Sequence, residues 1–389
     1  MHLLFLAYSW RNLKRRQLSS ILTITAMALV VFVFTSVLML EAGLTQTLIA
    51  SGSADNVLVI RQGSQTEIQS AISYHDAALV ASQAPIAINK QGQPLISKET
   101  VVLITLTKKN RQQSTNITVR GSSATGLALR PQIRLTKGRL FRPGTSEIIV
   151  SQHLAENFPG LTIDATIHFA RRGWNIVGHF EAANTAFNTE IWGDVHQMLQ
   201  AFRRNSYSAL VFKLTHPNQY HTSLKNLLSD PRLTLEFKPE TTFYAEQSST
   251  MASFIRILGI VLSTVFSLAA IIGASITMYA AVANRTAEIG TLRALGFQTQ
   301  SILYTFLMEA LFISTLGAII GIALAANLQW FSVATMNWKT FSELAFQFTL
   351  NSGIVLKAFG FSLGMGLIAG LAPALRAARM NIVTALNNA

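Results

Sequence analysis

The sequence predicts an α-helical membrane protein with four transmembrane helices, arranged one, then a long gap, then three, plus a large mixed α/β extracytoplasmic domain. Three observations predict it. Charge-free runs cover residues 17–40, 257–284 and 310–338, and residues 344–375 hold only Lys357. Half of the 389 residues are hydrophobic and only 13% are charged, which is sparse for a water-facing surface of this size. The gap between the first two runs alternates short β-rich stretches with turn signals.

A bilayer core takes about 20 apolar residues as helix, because lipid offers no partner to backbone N–H and C=O groups. The runs therefore predict helices at 18–42, 254–283, 302–327 and 354–375. Arg11, Lys14, Arg15 and Arg16 precede the first helix, Arg285 and Arg293 lie between the second and third, and Arg376 and Arg379 follow the fourth. Basic residues collect on the cytoplasmic side. Both termini are then cytoplasmic, residues 43–253 form the outer domain, and 328–353 is a short outer loop. The first segment is too long, and lacks the small-residue cleavage site, to be a removed signal peptide. It reads as a retained anchor.

The chain has no cysteine, so disulfides and thiolate metal sites are excluded. The outer segment is long enough to bury a core without such staples. The net charge of +13 partly reflects the inner flanks, which suit anionic lipid headgroups. Residues 43–253 carry 20 Lys+Arg against 14 Asp+Glu. These are scattered, with no basic stripe interleaved with aromatics, so nucleic-acid binding is not expected.

Within the outer segment, strands are expected at 57–60, 101–107, 116–120, 147–151, 166–170, 174–180, 209–214 and 233–237. Helices are expected near 66–83, 151–157, 193–204 and 217–229. Gly92, Pro131, Pro143–Gly144, Pro159–Gly160 and Gly173 punctuate them. The order suggests a membrane-proximal lobe, 44–85 with 206–250, and an inserted lobe, 86–205.

No catalytic, cofactor or metal site emerges. The chain lacks the Gly-x-x-x-x-Gly-Lys-Ser/Thr phosphate loop, His-Glu-x-x-His and Gly-x-Ser-x-Gly. His216 and His221 are the closest histidine pair, but Pro217 between them keeps them off one helix face. Asp194 and Glu190 read as a solvated strand end and a helix N-terminal acid rather than as a catalytic pair. Residues 116–118 match a glycosylation sequon, a triplet common by chance.

The inner loop, 284–301, carries more information. Residues 284–297 are short, helix-prone and amphipathic, with Ile289, Leu292 and Leu295 recurring at three- to four-residue spacing. Such a stripe on a cytoplasmic helix suits a lipid interface, a groove on another protein, or packing on its own helix ends. Residues 8–16, with Trp10 and Leu13 among basic side chains, fit an amphipathic interfacial helix spanning 1–17. Glu309 stands inside the third helix, and its role reads as structural near the inner interface, with Tyr304, Thr305 or a basic tail residue as partner. An intramembrane acid is otherwise a functional candidate. Gly317 and Gly321, Gly360 and Gly364, and Gly366 and Gly370 are small-x-x-x-small pairs that allow close helix packing.

Residues 285–296, Arg-Thr-Ala-Glu-Ile-Gly-Thr-Leu-Arg-Ala-Leu-Gly, resemble the signature loop of the MacB/FtsX-like permease family of ABC transporters. Residues 366–386, with the Pro373-Ala374 pair leading into a basic tail (376–389), are similar to that family's ending. Residues 137–150, 174–180 and 190–194 resemble its periplasmic core domain. The resemblance covers essentially the whole chain, including the one-plus-three layout. It implies mechanotransmission. Two permease chains, as a homodimer or heterodimer, pair in the bacterial inner membrane above two copies of an ABC ATPase that bind ATP and Mg. The inner loop docks on the ATPase as a coupling helix through Glu288, Ile289, Gly290, Leu292, Arg293, Leu295 and Gly296. Without a phosphate loop here, the ATPase is expected as a separate subunit. The output is expected to be efflux with a periplasmic adaptor and outer-membrane duct. The alternatives are extraction of lipoprotein or lipid, and FtsX-like control of a cell-wall hydrolase without transport.

Overall fold

A computed structural model of the chain describes residues 17–109 and 114–380, apart from the side chains of residues 17, 218, 221 and 226. The expected amphipathic helix, up to residue 16, and residues 381–389 of the tail lie outside the described residues.

In chain order the elements are α1 (Gln17–Ile49), β1 (Asn56–Arg61), α2 (Tyr74–Gln83), β2 (Ile96–Thr107), β3 (Ser114–Ser122), α3 (Ala124–Ala128), β4 (Arg134–Gly138), β5 (Glu147–Ser151) and α4 (Gln152–Asn157). Next come β6 (Thr166–Phe169), β7 (Arg172–Glu181), β8 (Glu190–Asp194), α5 (Val195–Ala201), β9 (Ala209–Lys213), α6 (Tyr220–Ser223), α7 (Lys225–Leu228) and β10 (Leu235–Pro239). The chain continues through α8 (Glu240–Ala283), α9 (Thr286–Ala294), α10 (Thr299–Ala326), β11 (Ser332–Met336), β12 (Glu343–Gln347) and α11 (Ser352–Ala378).

Two compact units result. One holds the helical segments up to Ala42, Ser253–Phe331 and from Phe348; the other holds Gly43–Ala252 with Ser332–Gln347. Four helices, α1, α8, α10 and α11, are long and apolar enough to cross a membrane. At 1.5 Å per residue, the 33 residues of α1 and the 44 of α8 exceed a hydrocarbon core of about 30 Å. Both helices therefore overrun the expected spans.

Helix packing in the first unit is close and partly polar. Met27, Val30 and Val31 of α1 pack with Ala270, Ala274, Ala358, Met365 and Ala369. The Asn351 side chain caps α11 by accepting from the Ile354 N–H at 2.8 Å, satisfying one orphan donor. Pro373 inside α11 removes the hydrogen bond that the Ala369 carbonyl would otherwise accept. Ser275 Oγ of α8 donates to that carbonyl at 2.9 Å, so a potential defect becomes an interhelical tie.

The second unit is one mixed ten-stranded sheet, in the order β10-β1-β9-β2-β3-β8-β5-β7-β4, with β6 also on β7. The β3–β8 and β5–β7 pairs are parallel. Two apolar clusters flank it. Val57, Val59, Leu210, Phe212 and Phe237 anchor one; Ile117, Val119, Ile148, Trp174 and Ile191 anchor the other. Two cores thus lie along one continuous sheet, and Val195 and Leu199, from the expected inserted lobe, pack in the core with Val57 and Phe237. Strand β2 bridges them, pairing with β9 through Ile96–Glu99 and with β3 from Thr100 onward. Residues 328–353 also differ from the expected loop. They contain an antiparallel hairpin, Val333 opposite Phe346, which belongs to the sheet-bearing unit. Strands β4 and β8, too, were not among the expected elements.

Candidate functional site

The inner-loop helix α9 begins at Thr286, with Glu288 in its first turn and Arg293 in its last, the polarity that suits the helix dipole. Its end is a Schellman motif. The Phe297 N–H reaches the Leu292 carbonyl at 3.2 Å, the Gly296 N–H reaches that of Arg293 at 3.1 Å, and Gly296 sits at φ +94°. A side chain strains that conformation. The glycine therefore terminates the helix.

Three contacts fix α9. Ile289 is buried among Met278, Val282, Ile302, Phe306, Ala374 and Ala377 of α8, α10 and α11. Arg285, at the N-cap, places Nη1 3.5 Å from Glu309 Oε2 of α10. Arg293 Nη1 donates to the carbonyls of Ala378, the last residue of α11, at 3.2 Å and of Met380, just past it, at 2.9 Å. Beside this held face, Leu292 is 36%, Leu295 73% and Phe297 50% exposed.

The seven residues expected at the coupling interface therefore separate. Glu288, Leu292, Leu295 and Gly296 lie on the exposed side. Ile289 and Gly290 are buried, and Arg293 is turned onto α11. These three make contacts inside the bundle, with Arg293 half-buried. Glu309 is buried and pairs with Arg285, a residue of the inner loop rather than of the tail. Thr305 instead bonds the Ser301 carbonyl of its own helix at 2.8 Å, and Tyr304 is exposed.

The glycine pairs separate as well. A Cβ on Gly317 would lie 2.7 Å from Met27 Cβ, and one on Gly321 2.5 Å from the Ala28 carbonyl, so these two let α1 and α10 touch backbones. Gly366 abuts Ser314, and a Cβ on Gly370 would lie 2.5 Å from Ala310 Cβ, joining α10 to α11. Among the described residues, a Cβ on Gly360 or Gly364 meets nothing within 4 Å. Gly259, not singled out by the sequence pattern, abuts Val37.

Sequence reasoning missed the polar centre of the sheet unit. Arg120 on β3 is 1% exposed and pairs with Glu67 at 2.6 Å, Glu99 at 2.9 Å and Glu190 at 2.9 Å. Arg130 grips Glu99 at 2.5 Å and lies 3.3 Å from Glu240 Oε1. Both guanidinium groups lie 5.1–5.5 Å from the ring centroids of Phe187 and Trp192, a distance that favours cation–π attraction. Burial alone would raise the Glu99 pKa, but the charges and hydrogen bonds of Arg130 and Arg120 hold it at about 2. Burial raises that of Glu190, against the pull of Arg120. Both acids are buried: Glu190 opens β8 rather than a helix, and Asp194 caps α5 by accepting from the Gln197 N–H at 3.0 Å. The one sequence signal was an arginine ending a β-run, Asn-Ile-Thr-Val-Arg. In the sequon of that run, the Asn116 amide donates to the Phe341 carbonyl at 3.1 Å. Glu343 of the hairpin pairs with Lys108 at 2.8 Å.

Two family models match the chain. Residues 20–226 match the MacB-like periplasmic core domain, and residues 260–382 the FtsX-like permease C-terminal domain. The macrolide export ATP-binding/permease protein MacB of Bdellovibrio bacteriovorus is 32% identical over 115 residues, 30% of this chain and 16% of that protein. Its counterpart from Neisseria gonorrhoeae is 24% identical over 274 residues, 65% of this chain and 41% of that protein. The chain thus matches less than half the length of these relatives. The extracellular domain of the noncanonic ABC-type transporter YknZ from Gram-positive bacteria aligns at 13% identity with a TM-score of 0.35, over 47% of this chain and 99% of that one. With four helices able to span a membrane, a mixed α/β core domain and both family models in place, this chain belongs to the MacB/FtsX-like permease family of ABC transporters.

Proposed function

We propose that the chain is the permease subunit of an ABC transporter complex. It couples ATP hydrolysis by a partner ATPase to movement of its sheet domain, driving efflux or export of a periplasmic or membrane-derived substrate. Two ATPase subunits bind ATP and Mg beneath a pair of permease chains in a bacterial inner membrane. Both termini and α9 face the cytoplasm, and the sheet domain faces the periplasm. A periplasmic adaptor and an outer-membrane duct complete the route.

The observation that supports this reading best is the two-sided character of α9. One side is locked to three membrane helices through Ile289, Arg285 and Arg293. The other offers the exposed Leu292, Leu295 and Phe297. A docking helix needs both, because a push on a loosely held helix would be lost in local motion. The apolar side suits a groove on a folded partner.

Glu288→Lys combined with Leu292→Asp tests it. The expected result is loss of ATPase recruitment or coupling, with an outer domain that stays folded by circular dichroism. A complex that still forms and keeps substrate-stimulated ATPase activity would overturn the coupling assignment.

A further inference from the structure

The two ends of the sheet domain's chain meet in one place. Strand β1 follows shortly after α1, and β10 runs directly into α8, with Glu240 next to Pro239. These strands are antiparallel neighbours, Val57 opposite Pro239. The end of α1 and the start of α8 are thereby brought side by side within the sheet unit.

Their contact is unusually close. A Cβ on Gly52 would lie 2.6 Å from the Thr241 nitrogen and 2.7 Å from the Glu240 carbonyl carbon. Backbone cannot yield as a flexible side chain can, so the position holds only glycine without displacement. Glu240 is fully buried. Its Oε2 accepts from the Ser53 N–H at 3.0 Å and the Asn56 amide at 2.8 Å, both just past α1. Its Oε1 faces Arg130, which in turn holds Glu99 of β2. The Gln132 amide donates to the Ser51 carbonyl at 2.9 Å, and Ser51 Oγ accepts from the Ala186 N–H at 2.8 Å. One carboxylate thus joins the residues after α1, the first residue of α8 and the polar centre of the sheet.

Burying such a network for stability alone is poorly rewarded, since well-packed apolar residues often serve as well. Its directional bonds do fix geometry, and a lever needs fixed geometry at its attachment. We infer that Glu240 is a positioning residue that fastens α1 and α8 into one root. Displacement of either helix then moves β1, β10 and the sheet together. The inference rests on the transporter reading and adds the point at which motion enters the sheet domain.

The test uses the full chain in nanodiscs with its co-purified ATPase. Because the native sequence has no cysteine, Gln91→Cys and Gln300→Cys provide two exposed spin-label sites. The wild-type background is expected to show a Gln91–Gln300 distance change between ADP and ATP states. Glu240→Gln, nearly isosteric, should abolish that change while ATPase binding and the thermal unfolding of the chain persist. Without ATPase, the same variant should speed hydrogen exchange over residues 51–56 and leave β5 and β7 protected. Gln132→Ala, a half-buried side chain outside the ion-pair cluster, should reduce the distance change if Glu240→Gln proves too unstable to purify. A wild-type-sized change in the folded Glu240→Gln or Gln132→Ala chain overturns the inference. A wild-type chain that recruits no ATPase overturns the transporter reading, and the inference with it.

Discussion

Arg285 and Glu309, 24 residues apart in sequence, form an ion pair across 3.5 Å with both side chains largely buried. The pair ties the start of α9 to the interior of α10. The pair supports a structural reading of this acid. Its cavity neighbours are the hydroxyls of Ser19, Ser20, Thr23 and Thr277 with the apolar Met278, Ala281 and Ile313, and no second carboxylate is among them. Glu309→Gln should therefore still assemble and keep coupled ATPase activity, because the amide fills the same space and still accepts from Arg285. Glu309→Ala leaves the arginine without that acceptor, at a cost of about 1–3 kcal/mol. Complex yield and substrate-stimulated turnover distinguish the two. Loss of coupling with intact assembly in Glu309→Gln would point instead to a proton or ion pathway.

Arg293 sits on the held side of α9, so its removal should separate docking from transmission. Arg293→Ala frees the Ala378 and Met380 carbonyls, each hydrogen bond to the charged group contributing about 1.5–3 kcal/mol. ATPase affinity should stay within about threefold of wild type while substrate stimulation drops. Leu295→Asp should show the reverse order, with recruitment failing first. Pull-down titration alongside ATPase assays reads both.

The glycines make a steric prediction. Gly321→Val drives a branched side chain into the backbone of α1 and should destabilise by at least the 1–3 kcal/mol typical of overpacking. Gly366→Val should behave alike, against Ser314. Gly364→Val meets open space in this chain and should leave its unfolding temperature in detergent nearly unchanged.

Acid should loosen the sheet domain through Glu99. Its pKa lies at about 2, below the ordinary 4.5, so its ion pairs stabilise fully above pH 4.5. That stabilisation is lost as pH falls towards 2. Glu190, raised by burial, has the opposite sign and offsets part of the loss. Glu99→Gln should flatten the pH dependence of unfolding between 4.5 and 2 and, at neutral pH, destabilise the domain by about 3–5 kcal/mol, since both Arg120 and Arg130 lose a buried carboxylate partner. Tryptophan fluorescence of the full chain follows both, since Trp192 lies beside Arg130.

Local chemistry accounts for what was legible. The membrane helices were readable because each must satisfy its own backbone from within, so contiguous apolar length suffices to place them. The Arg-Thr-Ala-Glu-Ile-Gly loop was readable as a short amphipathic helix for the same reason: its spacing is local. Which of its residues point inward was not, because Leu292 and Ile289 look equivalent until the ends of α8, α10 and α11 are placed around them. The hairpin at Ser332–Gln347 was hidden inside residues whose apolar character resembles the flanking helices.

Sequence alone determined the membrane class, the one-plus-three order of helices, the mixed character of the long insertion and the position of the inner loop. These follow from runs and periods of a few residues. Tertiary structure decided that Arg120 and Arg130 gather carboxylates from Glu67, Glu99, Glu190 and Glu240. It also decided that Gly52 meets Glu240, that four of the six paired glycines pack helices within the chain, and that Arg293 holds α11. Each of these links residues far apart in sequence, and Coulomb attraction and steric fit act on distance in space.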